Sequence, residues 1–185
     1  LAVALAVAGM ALTLPLDIAP WLVGVAGLGC GLLYDVWLKR TLLSWLPLAL
    51  ALPLVPAWVF LSADAWVALL WWTFPLGLLL GIALHLANQL PDVPGEAGGR
   101  VRGMAHRLQA RRALALSMAS FGAAASIACL VLAFVSSDRA VLAAIAGIVA
   151  MLTGSRATRI FGRNGLFGVL AVSSAILAVV FLSAA

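Results

Sequence analysis

Apolar runs close to twenty residues long recur along the whole chain, and the polar loops between them are too short to build a layer of their own. They fall at about residues 1–16, 19–38, 43–61, 65–87, 111–135, 139–154 and 165–185. A helix rises about 1.5 Å per residue, so roughly 20 residues cross the roughly 30 Å of a bilayer's hydrocarbon core. Within that core only helices and closed barrels satisfy their backbone polar groups. Most of the seven runs approach the required length, and the sixth needs residues from its flanks. Charged residues make up 9% of the chain and apolar ones 65%, which leaves too little charge to coat a water-soluble domain. The pattern predicts an all-α fold: a polytopic transmembrane bundle of about seven helices in one membrane-embedded unit over residues 1–185.

Local signals refine the bundle. Pro47, Pro53 and Pro56 lie in the third run and Pro75 in the fourth, so both are expected to kink around a cavity. Gly27-x-x-x-Gly31 and Gly77-x-x-x-Gly81 have the spacing that lets helix backbones approach closely in lipid, and Gly122 with Ser126 repeats it. Cys30 and Cys129 lie inside apolar runs without metal-ligand or redox spacing and read as buried small hydrophobes.

The basic residues report orientation. Lys39 and Arg40 follow the second run, Arg100, Arg102, Arg107, Arg111 and Arg112 the fourth, and Arg156, Arg159 and Arg163 the sixth, while Arg139 alone lies in the alternate loops. Ten of eleven cations therefore share one side, which the positive-inside rule makes cytoplasmic. Trp37 and Trp45 flank the first basic loop, and Trp58 and Trp66 the next turn, as in an aromatic belt at each interface. The same distribution explains the net charge of +5 without a nucleic-acid partner, because no basic stripe has an aqueous domain to sit on.

Chemistry concentrates after the fourth run. Asp92 and Glu96 stand four residues apart and are followed by a series of arginines. An acidic pair facing guanidinium groups at the mouth of a membrane helix suits a Mg²⁺-bridged diphosphate, because the hard cation takes oxygen ligands and the guanidiniums hold the remaining phosphate charge. If the helix persists, His85, Asn88 and Asp92 share one face, and Glu96 extends it by a turn. The same acids also fit an ordinary loop paired with its arginines, and His85 fits a hydrogen-bonded residue at a helix end. Tyr34-Asp35-Val36-Trp37-Leu38-Lys39-Arg40-Thr41 places two more cations and a phenol at the same side. Lys39 and Arg40 suit either a phosphate partner or snorkelling to the headgroups. Arg156, Arg159 and Arg163 suit a phosphate grip or simple anchoring.

These loops resemble the UbiA-type intramembrane prenyltransferases. Asn88-Gln-Leu-Pro-Asp92-Val-Pro-Gly-Glu96 is similar to the family's second acidic motif, Asp-x-x-x-Asp. Val101-Arg102-Gly103-Met104-Ala105-His106-Arg107-Leu108 is similar to the Gly-Val-Arg-Thr-Leu-Pro-x-Arg-Leu-Gly stretch after it. Tyr34 to Thr41 is similar to the family's Tyr and Lys-Arg pair. The resemblance covers essentially the whole chain. It implies transfer of a prenyl group from a polyprenyl diphosphate to a lipophilic or aromatic acceptor in or beside the membrane, with Mg²⁺ as cofactor. It further implies Asp92 and Glu96 as metal ligands, Lys39, Arg102 and Tyr34 as catalytic, and Asn88, Arg40, Arg107 and His106 as substrate-binding. The expected setting is a multi-pass protein of a bacterial cell membrane with the active site cytoplasmic.

The chain departs from the family's pattern at several points. Glu96 replaces the usual final Asp, Gln89 stands where an acid is common, and Ala97 and Arg100 replace a frequent basic residue and a frequent glycine. Tyr34 and Lys39 are five apart, where four is common. The first acidic motif has no counterpart here, so the family's nine helices would lack their first two, and residues 1–185 alone are expected to be inactive because Mg²⁺ demands six oxygens. A non-catalytic lipid-binding member of the fold and a membrane transporter remain as alternatives. The transporter is disfavoured because ionisable residues lie at helix ends, with none at mid-span.

Overall fold

Seven α-helices and no strand occur among residues 2–93, 104–160 and 163–185, the residues that the computed structural model describes. They are α1 (Ala2–Leu12), α2 (Ile18–Val36), α3 (Leu46–Ser62), α4 (Thr73–Gln89), α5 (Met104–Ala133), α6 (Ser137–Ile160) and α7 (Arg163–Leu182), with short 3₁₀ turns at Leu38–Arg40, Ala68–Trp72 and Leu90–Asp92. Five segments are long and apolar enough to cross a membrane: Ile18–Val36, Ala68–Asp92, Met104–Ala133, Ser137–Thr158 and Gly165–Leu182. The first and third apolar runs form shorter helices, of 11 and 17 residues.

The punctuation of the runs follows backbone chemistry. Pro53 and Pro56 lie inside α3, which continues through both. Pro75 is the third residue of α4, in the first turn, where the missing N–H has no intrahelical partner to lose. The kink expected in the fourth run is therefore replaced by a change of helix type, from the 3₁₀ turn Ala68–Trp72 to α4. Trp66, Trp71 and Phe74 cluster at this end, with ring centroids 5.3 Å and 5.7 Å apart along the series. In α6 the flanks supply the missing length, since the helix runs to Ile160 and takes Arg156 with it. Arg163 opens α7, and the side chains of Arg159 and Arg163 lie outside the described residues.

Helix α5 begins seven residues before its apolar run and is broken at Gln109, whose φ of 65° and ψ of 155° lie in a region natural to glycine. Such a conformation costs about 1–3 kcal/mol and persists only where its surroundings fix it. The short piece before the break is held by hydrogen bonds to other elements, described below.

Helix α4 is the hub. It packs against α3, α5 and α7, and eleven of its seventeen residues are buried, whereas α2 buries only Pro20. Being apolar nearly all round, α4 gains from contact on several sides. The tightest seam is with α3. A β-carbon on Gly77 would stand 2.6 Å from Pro53 Cδ, and one on Gly81 would overlap the backbone of Ala49. The pair at 77 and 81 thus acts as its spacing predicts. The pair at 27 and 31 does not, because nothing lies within 4 Å of where either side chain would begin.

This seam makes a direct prediction. Gly81→Ala should destabilise the protein in detergent by about 1–3 kcal/mol or more, since the methyl group must force two backbones apart. Gly29→Ala, which meets nothing within 4 Å, should leave the thermal unfolding midpoint unchanged or slightly raised.

Candidate active site

The end of α4 sets the geometry of the site. Its α-helical turns stop at Gln89, and Leu90–Asp92 continues as a 3₁₀ turn that carries Pro91. His85 is only 3% exposed, while Asn88 and Asp92 are exposed. The three residues are therefore consecutive along one edge, without the continuous helical face that their spacing suggests.

Around His85 a buried polar cluster ties three elements together. Its Nε2 lies 2.9 Å from the hydroxyl of Ser44, which precedes α3 and is fully buried. The Ser44 oxygen also accepts the Met104 N–H at 3.4 Å. Gln89, one turn beyond His85, accepts the Ala105 N–H through Oε1 at 3.3 Å. Met104 and Ala105 open α5, so Ser44 and Gln89 act as caps from elsewhere in the fold on amides that no helix could satisfy. One assignment of protons satisfies the cluster. With its oxygen accepting from Met104, the Ser44 hydroxyl has its hydrogen to donate to Nε2. Further along the same interface, the Ser117 hydroxyl of α5 donates to the Ala83 carbonyl of α4 at 2.7 Å.

Beside this cluster lies a cavity of about 420 Å³ between α2, α3, α4 and the start of α7. Tyr34, His85, Asn88 and Phe167 contribute its polar and aromatic walls, and Gly27 and Gly31 line it from α2. The Tyr34 ring meets His85 edge to face, with centroids 6.3 Å apart. A second cavity of about 420 Å³ continues along the same helices and is almost wholly apolar, with Pro53, Leu80, Leu84, Ala171 and Phe181 among its walls. Along α3, α4 and α7 the residues of the first cavity give way directly to those of the second. The first cavity carries the hydrogen-bonding groups and the second is the more apolar of the two.

The other residues singled out by sequence occupy the same end of the bundle. Lys39 reaches Asp35 at 3.9 Å across an exposed turn, an ion pair worth little in water, and Arg40 is exposed beside it. His106 Nε2 lies 2.9 Å from the Asp92 carbonyl, so it must carry the hydrogen. Arg107 follows on the exposed side of α5. Glu96 and Arg102 lie outside the described residues. The structure thus brings Tyr34 and Asn88 into one cavity and His106 onto the turn of Asp92, while Lys39 and Arg40 sit on the neighbouring turn after α2. Among the described residues no three His, Cys, Asp or Glu side chains converge. The Asp92 carboxylate is exposed and in no ion pair among those residues, and by itself it offers a hard cation only part of the oxygen shell that such an ion takes.

With this geometry in place, comparison with known families is decisive. The UbiA prenyltransferase family profile matches residues 1–165. The chain belongs to the UbiA prenyltransferase family. No curated protein and no solved structure matches it. The family match spans α1 to α6 and the lining of the first cavity except Phe167, and the α7 wall of the second cavity lies beyond it.

Two features of this UbiA-family site escape a reading by motif. Gln89 looks like an eroded acid in sequence, but it is 8% exposed and engaged as a cap. Ser44 carries no motif at all, since its partners are 41 and 60 residues away. The available signal was the recurrence of polar groups at His85 and Gln89, one turn apart on an otherwise apolar helix. Replacing Gln89 with Leu should leave the Ala105 amide buried and unpaired, at a cost of about 1–3 kcal/mol. Gln89→Glu keeps an acceptor oxygen and should retain more of the stability. Thermal unfolding in detergent, followed by tryptophan fluorescence, checks the order of the two variants.

Proposed function

We propose that this UbiA-family protein transfers a prenyl group from a polyprenyl diphosphate to an acceptor held in or beside the membrane. The observation that carries the reading is a cavity with hydrogen-bonding groups, the polar mouth, whose lining residues on α3 and α4 are followed directly by those of an almost wholly apolar one, the apolar track. That arrangement matches a substrate with a charged head and a hydrocarbon tail. Asp92 and Glu96 would hold Mg²⁺, which the family generally uses and which neutralises diphosphate charge when bound. Lys39, Arg40, Arg102 and Arg107 lie near that position in sequence or fold and supply further positive charge, with His106 and Asn88 as hydrogen-bonding groups. Positive-inside partition of the loops supports a cytoplasmic setting for this end, in keeping with a multi-pass protein of a bacterial cell membrane.

In this mechanism the bond between C1 of the prenyl chain and the diphosphate oxygen breaks, and both electrons leave with the diphosphate. The cations at the mouth stabilise the growing negative charge more strongly than the ground state, which is what accelerates the step. The π face of Tyr34 stabilises the allylic cation left behind. An electron pair of the acceptor forms the new bond to C1, and the acceptor's displaced proton leaves through the open mouth. The buried walls of the track keep water from C1.

Asp92→Asn removes a charged ligand with little change of shape. In the intact protein it should reduce Mg²⁺-dependent transfer from labelled polyprenyl diphosphate by on the order of 100-fold or more. Glu96→Asp should be tolerated. Wild-type turnover by Asp92→Asn, assayed in membranes with a panel of acceptors, would overturn the assignment.

A further inference from the structure

We propose that the outer groove between α5 and α6 is a specific site for one anionic phospholipid, with an acyl chain in the groove and the phosphate held jointly by Arg111 and Arg156. The groove shares no residue with the polar mouth or the apolar track. The site therefore stands whether or not the transfer reading does.

The groove follows from small side chains. A β-carbon on Gly147 would stand 2.9 Å from that of Ala125, so α5 and α6 meet closely at a point suited to glycine. Beside this contact Gly122 and Ser126 fill little space. They leave a concavity of about 650 Å³, which Cys129 extends on α5 and Ile148 and Leu152 border on α6, a volume within the range of small-molecule sites. Its polar side chains are satisfied within the protein. The Ser126 hydroxyl donates to the Gly122 carbonyl at 2.9 Å, and the Cys129 thiol to the Ala140 carbonyl at 3.5 Å. What the groove offers to lipid is hydrocarbon surface.

Charge identifies the occupant. On α6, Ile148, Leu152 and Arg156 follow one another at intervals of four along one edge. On α5, Arg111 lies about three turns before Gly122 and returns to the same face. The approaches of Ala125 to Gly147, Gly122 to Met151 and Met118 to Gly154 fix an antiparallel register. Continued along the hairpin, that register sets Arg156 level with Leu116, about 7.5 Å from Arg111 along the axis, a gap that two extended arginine side chains can close on one phosphate. Both arginines are exposed and in no ion pair among the described residues. Helices α5 and α7 carry no Asp or Glu, and the one acid of α6, Asp138, lies in its first turn at the other end. Two uncompensated guanidiniums above an apolar groove complement a phosphate joined to hydrocarbon. A second copy fits less well, because copies in one membrane share an orientation and would bring their arginines together at the same level, like charge against like.

The test uses intact protein in detergent, titrated with phosphatidylglycerol or phosphatidylcholine of identical acyl chains and followed by native mass spectrometry and thermal unfolding. Wild type should retain one phosphatidylglycerol about tenfold or more tightly than phosphatidylcholine, and its unfolding midpoint should rise with the anionic lipid. Arg111→Gln combined with Arg156→Gln should abolish that preference. Arg112→Gln removes a charge from the same helix, but at a residue turned about 100° from Arg111 and away from α6, and should leave the preference largely intact. Gly122→Leu fills the groove with the arginines in place and should weaken phosphatidylglycerol by about tenfold; its β-carbon meets nothing closer than Met151 Cε at 3.6 Å. Ser126→Leu, at an exposed position, makes the same test where Gly122→Leu does not fold. Equal retention of both lipids by wild type would overturn the proposal. So would a loss in Arg112→Gln as large as in the double variant, which is the mark of general headgroup attraction, or unchanged binding in the filled groove. A lipid-independent dimer that Gly122→Leu dissociates would give the groove to a second copy and overturn it as well.

Discussion

Close approach of α4 to α3 through Gly77 and Gly81 is the contact on which the rest of the arrangement depends. In lipid there is little hydrophobic gain in pressing two apolar helices together, so association relies on packing and polar contacts. Two glycines facing Pro53 and Ala49 bring the backbones to a separation that side chains would forbid. Towards the basic end, Ser44 just before α3 still meets His85 of α4 at 2.9 Å. The same pair of helices therefore supplies both the tight joint and two walls of the cavity beside it.

Polar groups fix the joint at the basic end of α4. A loop and a helix start buried among apolar helices carry amides that have no water to turn to. Ser44 and Gln89 receive the Met104 and Ala105 amides, and His85 joins Ser44 to α4. This ties the residue before α3, the end of α4 and the start of α5 at one point. The 3₁₀ turn of Asp92 leaves α4 directly from that point, and His106 holds its carbonyl. The strained backbone at Gln109 lies just beyond the fastening, where α5 turns from the pinned segment into its long apolar stretch. Stability and placement of the acidic turn are thus properties of the same few hydrogen bonds.

How far the sequence discloses all this depends on the range of the interaction. Run lengths of apolar residues are local, and they located the helices to within a few residues except at the start of α4, where a 3₁₀ turn takes up part of the run, and at the start of α5 and the end of α6. There, polar and basic residues continue the helix beyond the apolar run, since Arg107 and Arg156 sit at the bundle's end where a helix no longer needs to be apolar. The motif around Asp92 was legible because its residues are consecutive. The role of Gln89 was not, because its partner amide is contributed by another helix. Gly27-x-x-x-Gly31 and Gly77-x-x-x-Gly81 are indistinguishable as strings, yet one faces a neighbouring backbone and the other faces a cavity. Only the placement of α2 relative to α3 and α4 separates them.

The central claim is that head and tail of one substrate lie along a single path from the polar mouth into the apolar track. It is tested most directly by a polyprenyl diphosphate analogue that carries a photoreactive diazirine midway along its tail, cross-linked in membranes and mapped by mass spectrometry. The account predicts adducts on the track, at or beside Leu80, Leu84 and Ala171, suppressed by excess unlabelled polyprenyl diphosphate. Adducts confined to the outward-facing Val141, Ile145 and Ile148 of α6, unaffected by that competitor, would contradict it.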